Sequence, residues 1–571
     1  MQRIAFRFPR NRVACLCALI FFAYCIHAAV LGEPALPQKA FILGLMLCTF
    51  GVMLFLFARV AIALVVSGGL FLALRFLSEM KLRYLDSPLM AADFIYYART
   101  SLLETLEHYP HFLALGITLC VALPPLLWFV WRWDRRILAG RRTGTAFGLR
   151  TGGAVASALA FWVCLLPIGP FAQVHAKDVW DKLSDDAQLT NFFVNLHDSD
   201  VQLPEQASEA QAERDWGTTA WGLAAVAQKP YPDIVEVLEE STFDPSSFAA
   251  CTIAACQAKM FQVDANTRAH GLMRVHTFGG GTWMSEFAAL TGMPHDIFGA
   301  GGMYAPYVLA PHVRDSLPMQ LQRLGYLTIA IYPTNGSFLN GRNAYRAYGF
   351  DRFYDAIDLK LDEWEETDAQ MFAAAKQVYD QVKKPGQPVF VMILTLNQHG
   401  PHDIDALSTL APPFNTNLLP DIAPAESLNM VTYLSRLHDS DVAMSALEKD
   451  FLDRPQPTVL LHFGDHQPSF SGMIRGMPRR VPAGLEPYEH YLTYFMLKSN
   501  FAGAELPSYP MLDIAYLPTM VLQAAGLPSD PFFSAATGLR TRCHGLYVDC
   551  ADTQAVASYH AWIFGKLHVY Q

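Results

Sequence analysis

Five apolar runs lie early in the chain, at about residues 13–31, 40–58, 60–77, 112–130 and 152–174. Each approaches the roughly 17–25 residues that an α-helix needs to cross the hydrocarbon of a bilayer. Backbone in lipid must satisfy its own hydrogen bonds, so these runs commit residues 1–175 to a helical membrane domain. A cleaved signal peptide accounts for the first run but not for the four behind it. Composition agrees: 52% of the 571 residues are hydrophobic and only 16% charged, which fits a membrane part joined to a soluble part.

Arginine sets the orientation. Arg3, Arg7, Arg10 and Arg12 precede the first run, and Arg59 separates the second and third. Arg132, Arg135, Arg136, Arg141, Arg142 and Arg150 lie between the fourth and fifth, against the single acid Asp134. Arg75 stands near the far end of the third run, within snorkelling reach of the interface. The chain is therefore expected to start inside, cross five times, and leave everything after about residue 175 outside. That describes a multi-pass plasma (inner) membrane protein with an extracytoplasmic, periplasm-facing domain. Between the third and fourth runs, residues 78–111 mix charge with Leu85, Phe94, Ile95 and Tyr96, as suits a segment at headgroup level.

The ten cysteines divide the same way. Six lie in apolar runs, where a thiol packs as a small hydrophobe. Cys251, Cys256, Cys543 and Cys550 lie in polar sequence as two close pairs, which suits disulfides in an oxidising compartment. Spacing does not fix the pairing, and a zinc site is the rival reading. The net charge of −10 gives no support to nucleic-acid binding.

A polar linker at 176–230 leads to a new rhythm. Short β-rich runs at 234–238, 326–332, 389–396, 458–463 and 492–497 alternate with helical stretches at 319–324, 366–382, 428–451 and 513–525. Alternation of this kind predicts an α/β domain with a mostly parallel sheet, here assigned to 231–540, with 541–571 as a tail carrying a candidate disulfide. Such sheets bind ligands at the carboxyl ends of their strands.

Those ends carry hard oxygen and imidazole groups. Glu239-Glu240-Ser241 follows the first strand, Asn397-Gln398-His399-Gly400-Pro401-His402 the third, and Gly464-Asp465-His466 the fourth. An Asp-His pair with a remote glutamate suits a divalent cation. Elsewhere, His276-Thr277-Phe278-Gly279-Gly280-Gly281-Thr282 turns on glycines into the helix-like stretch Trp283-Met284-Ser285-Glu286-Phe287. A hydroxyl between a glycine turn and a helix start is a common way to present a nucleophile or an anion site.

On these residues the soluble half resembles the sulfatase-like branch of the alkaline-phosphatase superfamily. Within it the chain is similar to the lipoteichoic acid synthase and phosphoglycerol transferase family, whose members also carry membrane helices before an external catalytic domain. The resemblance implies Glu240 as a metal ligand from Leu238-Glu239-Glu240-Ser241, with Glu239 as the alternative. It implies Thr282 as nucleophile from Gly280-Gly281-Thr282, and Asp465 and His466 as further metal ligands. Arg342, within Asn335–Tyr345 and ahead of Gly349-Phe350-Asp351, and His399 are implied to bind substrate. The Cys/Ser-x-Pro-x-Arg signature of true sulfatases is absent around Thr282.

The expected chemistry follows. One divalent cation, Mn²⁺ first with Mg²⁺ or Zn²⁺ as alternatives, is held by Glu240, Thr282, Asp465 and His466. Thr282 attacks the phosphorus of a phospholipid donor in the outer leaflet, and a glycan or polymer hydroxyl then takes the phosphoglycerol-type headgroup. Arg342 and His399 meet the phosphate oxygens; His399 or His402 protonates the leaving alkoxide. Phosphoethanolamine transfer or phosphodiester hydrolysis would use the same site. A non-catalytic membrane sensor or scaffold is the reading from another class.

Overall fold

The computed structural model describes residues 10–85, 88–97, 110–134, 136–137, 143–175, 187–198, 201–217, 230–403 and 406–571. Arg3, Arg7, Arg135, Arg141, Arg142 and parts of the 78–111 loop and of the 176–230 linker lie outside these. The chain forms two compact units that meet in sequence at Asp200 and Val201.

The first unit holds five helices long and apolar enough to cross a membrane: α1 (Arg10–Val30), α2 (Leu36–Phe57), α3 (Val60–Leu85), α4 (Pro110–Trp133) and α5 (Thr143–Leu165). Large apolar side chains such as Leu19, Ile20, Val121 and Phe147 are exposed, as is expected where lipid takes the place of water. Small residues let helices approach: Gly51 meets Ser157, and Gly153 meets the Phe55 ring. The fifth span begins and ends nine residues earlier than the hydropathy run suggests. Pro167, Gly169 and Pro170 stop the helix, and its first turns use Thr143–Arg150 instead. Arg59 donates to the carbonyl of Trp131 at 2.8 Å, and Arg150 to that of Phe55 at 3.1 Å. The arginine-bearing ends of α2, α4 and α5 thus lie together, and each guanidinium satisfies carbonyls at a helix terminus. A further helix, α6 (Gln188–Asp198), is capped by buried Glu33, whose carboxylate accepts from Leu189 and Thr190 N–H at 3.0 and 3.3 Å.

The second unit is built on an eight-stranded sheet: β1 (Asp233–Glu239), β2 (Thr267–Arg274), β3 (Leu327–Ile331), β4 (Arg352–Tyr354), β5 (Val389–Leu394), β6 (Thr458–Gly464), β7 (Leu492–Ser499) and β8 (Leu512–Asp513). The spatial order is β4-β3-β5-β1-β6-β7-β2-β8. β7 alone runs against its neighbours, antiparallel to both β6 and β2. Every residue of β1 is buried, as a central strand covered on both faces demands. Ile234 and Leu238 face one core, shared with α7 (Thr282–Thr291). Val235 and Val237 face the other, shared with α8 (Asp368–Val382) and α9 (Pro424–Leu452). Pro518 sits in the first turn of α10 (Leu517–Ala524), so that helix begins there instead of kinking. Residues 541–571 are no loose extension: Tyr547, Tyr559, Trp562 and Phe564 belong to the first core.

Cys251 pairs with Cys256, and Cys543 with Cys550. With all four sulfurs spent on disulfides, the zinc reading of these cysteines falls away.

Candidate metal centre and nucleophile

Parallel pairing brings the first two loops together. Glu239 lies opposite Gly464 in the β1–β6 register, so Glu240 and Asp465 leave the sheet side by side. Ser241 follows with a φ of 51°, a strained value for a residue with a side chain. Gly464 is required here, because a Cβ would overlap the carbonyl of Thr242. β2 lies beyond β7 but points the same way as β1, so its exit loop runs along the same edge. Gly279 N–H donates to the Gln467 carbonyl at 3.0 Å, and Gly281, with φ 88°, turns the chain into α7. A side chain on Gly281 would collide with Met284 and Thr277. The turn delivers Thr282 to the end of β6.

Four side chains from three separate loops therefore meet. Glu240, Asp465 and His466 are buried, and each offers a ligand atom within 4.8 Å of the others. His466 Nε2 stands 3.5 Å from Glu240 Oε1, 3.3 Å from Asp465 Oδ2 and 3.4 Å from Thr282 Oγ1. His466 Nδ1 faces the Gln467 carbonyl at 3.0 Å. A carbonyl only accepts, so Nδ1 carries a proton and Nε2 is the ring nitrogen turned inward. Asp465 Oδ1 accepts from the Ser241 and His466 amides, both at 2.7 Å, while Oδ2 has no hydrogen-bond partner. Ser241 Oγ donates to Glu240 Oε1 at 2.8 Å, leaving Oε2 without a partner. Burial and the neighbouring Asp465 push the Glu240 carboxyl up to about 8. Burial likewise raises Asp465, against the pull of His466 and Thr282. Two buried acidic groups with orphaned oxygens and one inward ring nitrogen converge on a single centre. A divalent cation fits this donor set.

The structure separates the doubled glutamate. Glu239, still in the strand, turns to Thr395, whose hydroxyl donates to it at 3.2 Å, and to Asp368. Burial and Asp368 raise Glu239 well above its ordinary range. Glu240 alone of the two joins the cluster.

The remaining sequence candidates are spread more widely. His399 lies close enough to feel Asp465, and burial with nearby Arg436 lowers its pKa. Its Nδ1 donates to the Gly400 carbonyl at 2.6 Å, so the neutral ring keeps an acceptor at Nε2. His402 is buried among the rings of Tyr433 and Phe470, and burial with Arg436 holds it neutral. That placement suits packing behind His399 better than contact with substrate. Arg342 is held by Asp358 at 2.8 Å and by Asp355, both after β4, and no bond joins it to the cluster among the described residues. Sequence reading overlooked Arg436 on α9. It donates to the carbonyls of His399 at 2.6 Å and Pro401 at 3.2 Å, and its charge favours the ionised form of Glu240.

A second buried group anchors the nucleophile loop. His276, six residues before Thr282, lies with Nδ1 3.0 Å from Asp296 and Nε2 3.0 Å from Asp513. Against the cost of burial, the two carboxylates raise its pKa to about 9.

Comparison with known proteins agrees with this architecture. The Sulfatase family pattern matches residues 232–527. A Haemophilus influenzae protein without an assigned role is 28% identical, with 91% of this chain and 93% of that protein aligned. A Rhizobium meliloti protein named for cyclic beta-1,2-glucan modification is 24% identical over 89% of this chain and 80% of its own length. The lipoteichoic acid synthase of Staphylococcus saprophyticus is 22% identical over 51% of this chain and 44% of its own.

Proposed function

The chain belongs to the sulfatase family, and from that premise we propose that it is a metal-dependent headgroup transferase working at a membrane. It moves a phosphoglycerol-type group from a phospholipid to a hydroxyl of an extracytoplasmic glycan or polymer, through a phosphothreonine at Thr282. One observation carries this reading: Thr282 Oγ1 lies 3.4 Å from His466 Nε2, beside a buried carboxylate pair suited to a cation. The names of two relatives, glucan modification and lipoteichoic acid synthase, support a glycan or polymer acceptor. Five apolar spans on the same chain suit a lipid donor, and two disulfides suit an oxidising, periplasm-facing compartment.

Glu240, Asp465, His466 and Thr282 would hold the cation, with Mn²⁺ the first choice and Mg²⁺ or Zn²⁺ compatible with the same donors. When bound, it supplies Lewis acidity that balances the carboxylates and lowers the pKa of the threonine hydroxyl. Thr282 Oγ then attacks phosphorus. The Oγ–P bond forms, the bond from phosphorus to the diacylglycerol oxygen breaks, and the proton given up by the Thr282 hydroxyl passes to that oxygen. The first amides of α7 face the charge that develops on the phosphoryl group. In the second half, the acceptor oxygen bonds phosphorus, the phosphorus–Oγ bond breaks, and the acceptor's proton, relayed by His399, restores the Thr282 hydroxyl. His399, neutral with Nε2 open, takes the acceptor's proton. Arg436 fixes the His399 loop through two carbonyls and adds positive potential beside the transferred phosphate. Arg342 reaches phosphate by exchanging a carboxylate partner for it.

Mass spectrometry of the solubilised protein after incubation with phosphatidylglycerol tests the reading. A glycerophosphoryl adduct is expected on the peptide containing Thr282 and is absent from Thr282→Ala. Undiminished diacylglycerol release by that variant would end the proposal.

A further inference from the structure

Beside His399 stand two aromatic rings that serve neither core. Phe338, in the loop after β3, and Trp364, in the loop before α8, are both half-buried. They meet edge to face at 4.9 Å, and Trp364 meets the His399 ring at 5.4 Å. Neither belongs to the apolar clusters on the two sides of the sheet. The backbone under them is strained: Trp364 has φ 72°, Leu339 46° and Asn340 60°. Left-handed conformations cost a bulky residue on the order of 1 kcal/mol or more, and such strain gathers at functional sites. The two loops are also tied together, since Asn335 N–H donates to Glu363 Oε2 at 3.0 Å. These observations describe a fixed aromatic surface at the rim of the candidate active site.

Its charge selects the ligand. Asp362, Glu363, Glu365 and Glu366 flank Trp364, and the nearby cation Arg342 is already matched by Asp355 and Asp358. Both oxygens of buried Glu366 lack a hydrogen-bond partner. Around the rings themselves such a surface disfavours a polyanion. It suits a neutral ligand with an apolar face and many hydroxyl donors, which describes a sugar ring.

We propose that Trp364, with Phe338, is the stacking platform for a neutral sugar of the acceptor, placing an acceptor hydroxyl beside His399. This rests on the transferase reading and names its acceptor class: an uncharged glycan, in place of a polyanionic polymer.

Binding can be tested apart from chemistry. Calorimetry of full-length Thr282→Ala protein with a neutral gluco-oligosaccharide is expected to show saturable binding. Adding Trp364→Ala weakens it at least tenfold, while Trp364→Phe retains most of it and so excludes misfolding as the cause. On the otherwise wild-type chain, Trp364→Ala raises the half-saturating oligosaccharide concentration at least tenfold more than it slows adduct formation at Thr282. Equal affinity with and without the indole overturns the platform. So does a parallel loss of adduct formation, or a shift in affinity for phosphoethanolamine instead of the oligosaccharide, because the rings then serve the donor. Absence of any Thr282 adduct in the wild type overturns the transferase reading alone, and the binding arm still decides the platform.

Discussion

Two clusters at the same end of the sheet contain nearly the same groups and solve burial in opposite ways. In each, two carboxylates and one imidazole lie inside the protein. At His276 both ring nitrogens face carboxylates, Asp296 on one side and Asp513 on the other. The ring therefore exists as an imidazolium, and the ion pairs are closed within the protein. At His466 one nitrogen is taken by the carbonyl of Gln467, so a single nitrogen is left for the acidic groups. The other faces Glu240, Asp465 and the Thr282 hydroxyl together. The clamp thus gives each carboxylate its own ring nitrogen, whereas the other cluster leaves carboxylate oxygens unpartnered and calls for an outside cation.

The sharpest way to break this contrast is through metal content. Asp465→Asn and Glu240→Gln are expected to drop bound metal from about one ion per chain toward zero and to cut turnover roughly 10³-fold or more. Asp513→Asn removes a carboxylate of the other cluster and should leave the metal in place. Elemental analysis of the purified chains checks both. Metal loss in Asp513→Asn equal to that in Asp465→Asn would erase the distinction.

The clamp should answer to pH instead. His276→Gln leaves Asp296 and Asp513 buried without their shared cation, at an expected cost of about 3–5 kcal/mol. The raised pKa gives the sign. The stabilisation from His276 is complete below its ordinary 6.5 and is lost as pH rises through about 9. Neighbouring His295, lowered by burial to about 4, stays neutral across that window. Thermal unfolding of the solubilised protein should therefore show wild type and His276→Gln converging between pH 7 and about 10. A gap that stays constant over that range contradicts an imidazolium at His276.

How much of this was legible in the sequence depended on distance along the chain and on burial. β5 is a continuous apolar run, and β1 and β6 are nearly so, broken inside by Glu236 and His462, because both faces are covered; they stood out as such. β2 did not: Arg268, His270, Gly271 and Arg274 interrupt its pattern, since most of its residues are only half-buried. Its absence from the sequence reading hid why Thr282 reaches the β6 end. That β7 runs antiparallel is also invisible in composition. The doubled glutamate could not be resolved by pattern, because the choice turns on where β1 ends; the register places Glu239 inside the strand and Glu240 beyond it. Residues joined across long separations, such as His276 with Asp513, or Arg436 with the His399 carbonyl, leave no local signal. The carboxylates that hold the Arg342 guanidinium, Asp355 and Asp358, likewise gave no sign of that pairing in the sequence.

Glu236 supplies a third answer to the same problem and the smallest test. It lies within β1, fully buried, facing the core of Ile234 and Leu238, and neither oxygen has a hydrogen-bond partner. No cation and no imidazolium is at hand, so burial pushes its pKa from the usual 4.5 up to about 8 and the carboxyl holds its proton. The sign is the reverse of that at Asp296, which His276 holds below the usual carboxylate range against the cost of burial. An acid raised in the folded state loses stability as pH climbs from its unfolded value toward its folded one. Glu236→Gln keeps the shape and cannot ionise. It should stabilise the protein by up to about 3 kcal/mol at pH 7, with the advantage fading toward pH 4.5. Thermal unfolding of both chains at pH 5 and pH 8 measures the difference. A variant no more stable than wild type at pH 8 would mean that Glu236 is ionised and balanced by a charge, which would align this strand position with the two clusters instead of setting it apart.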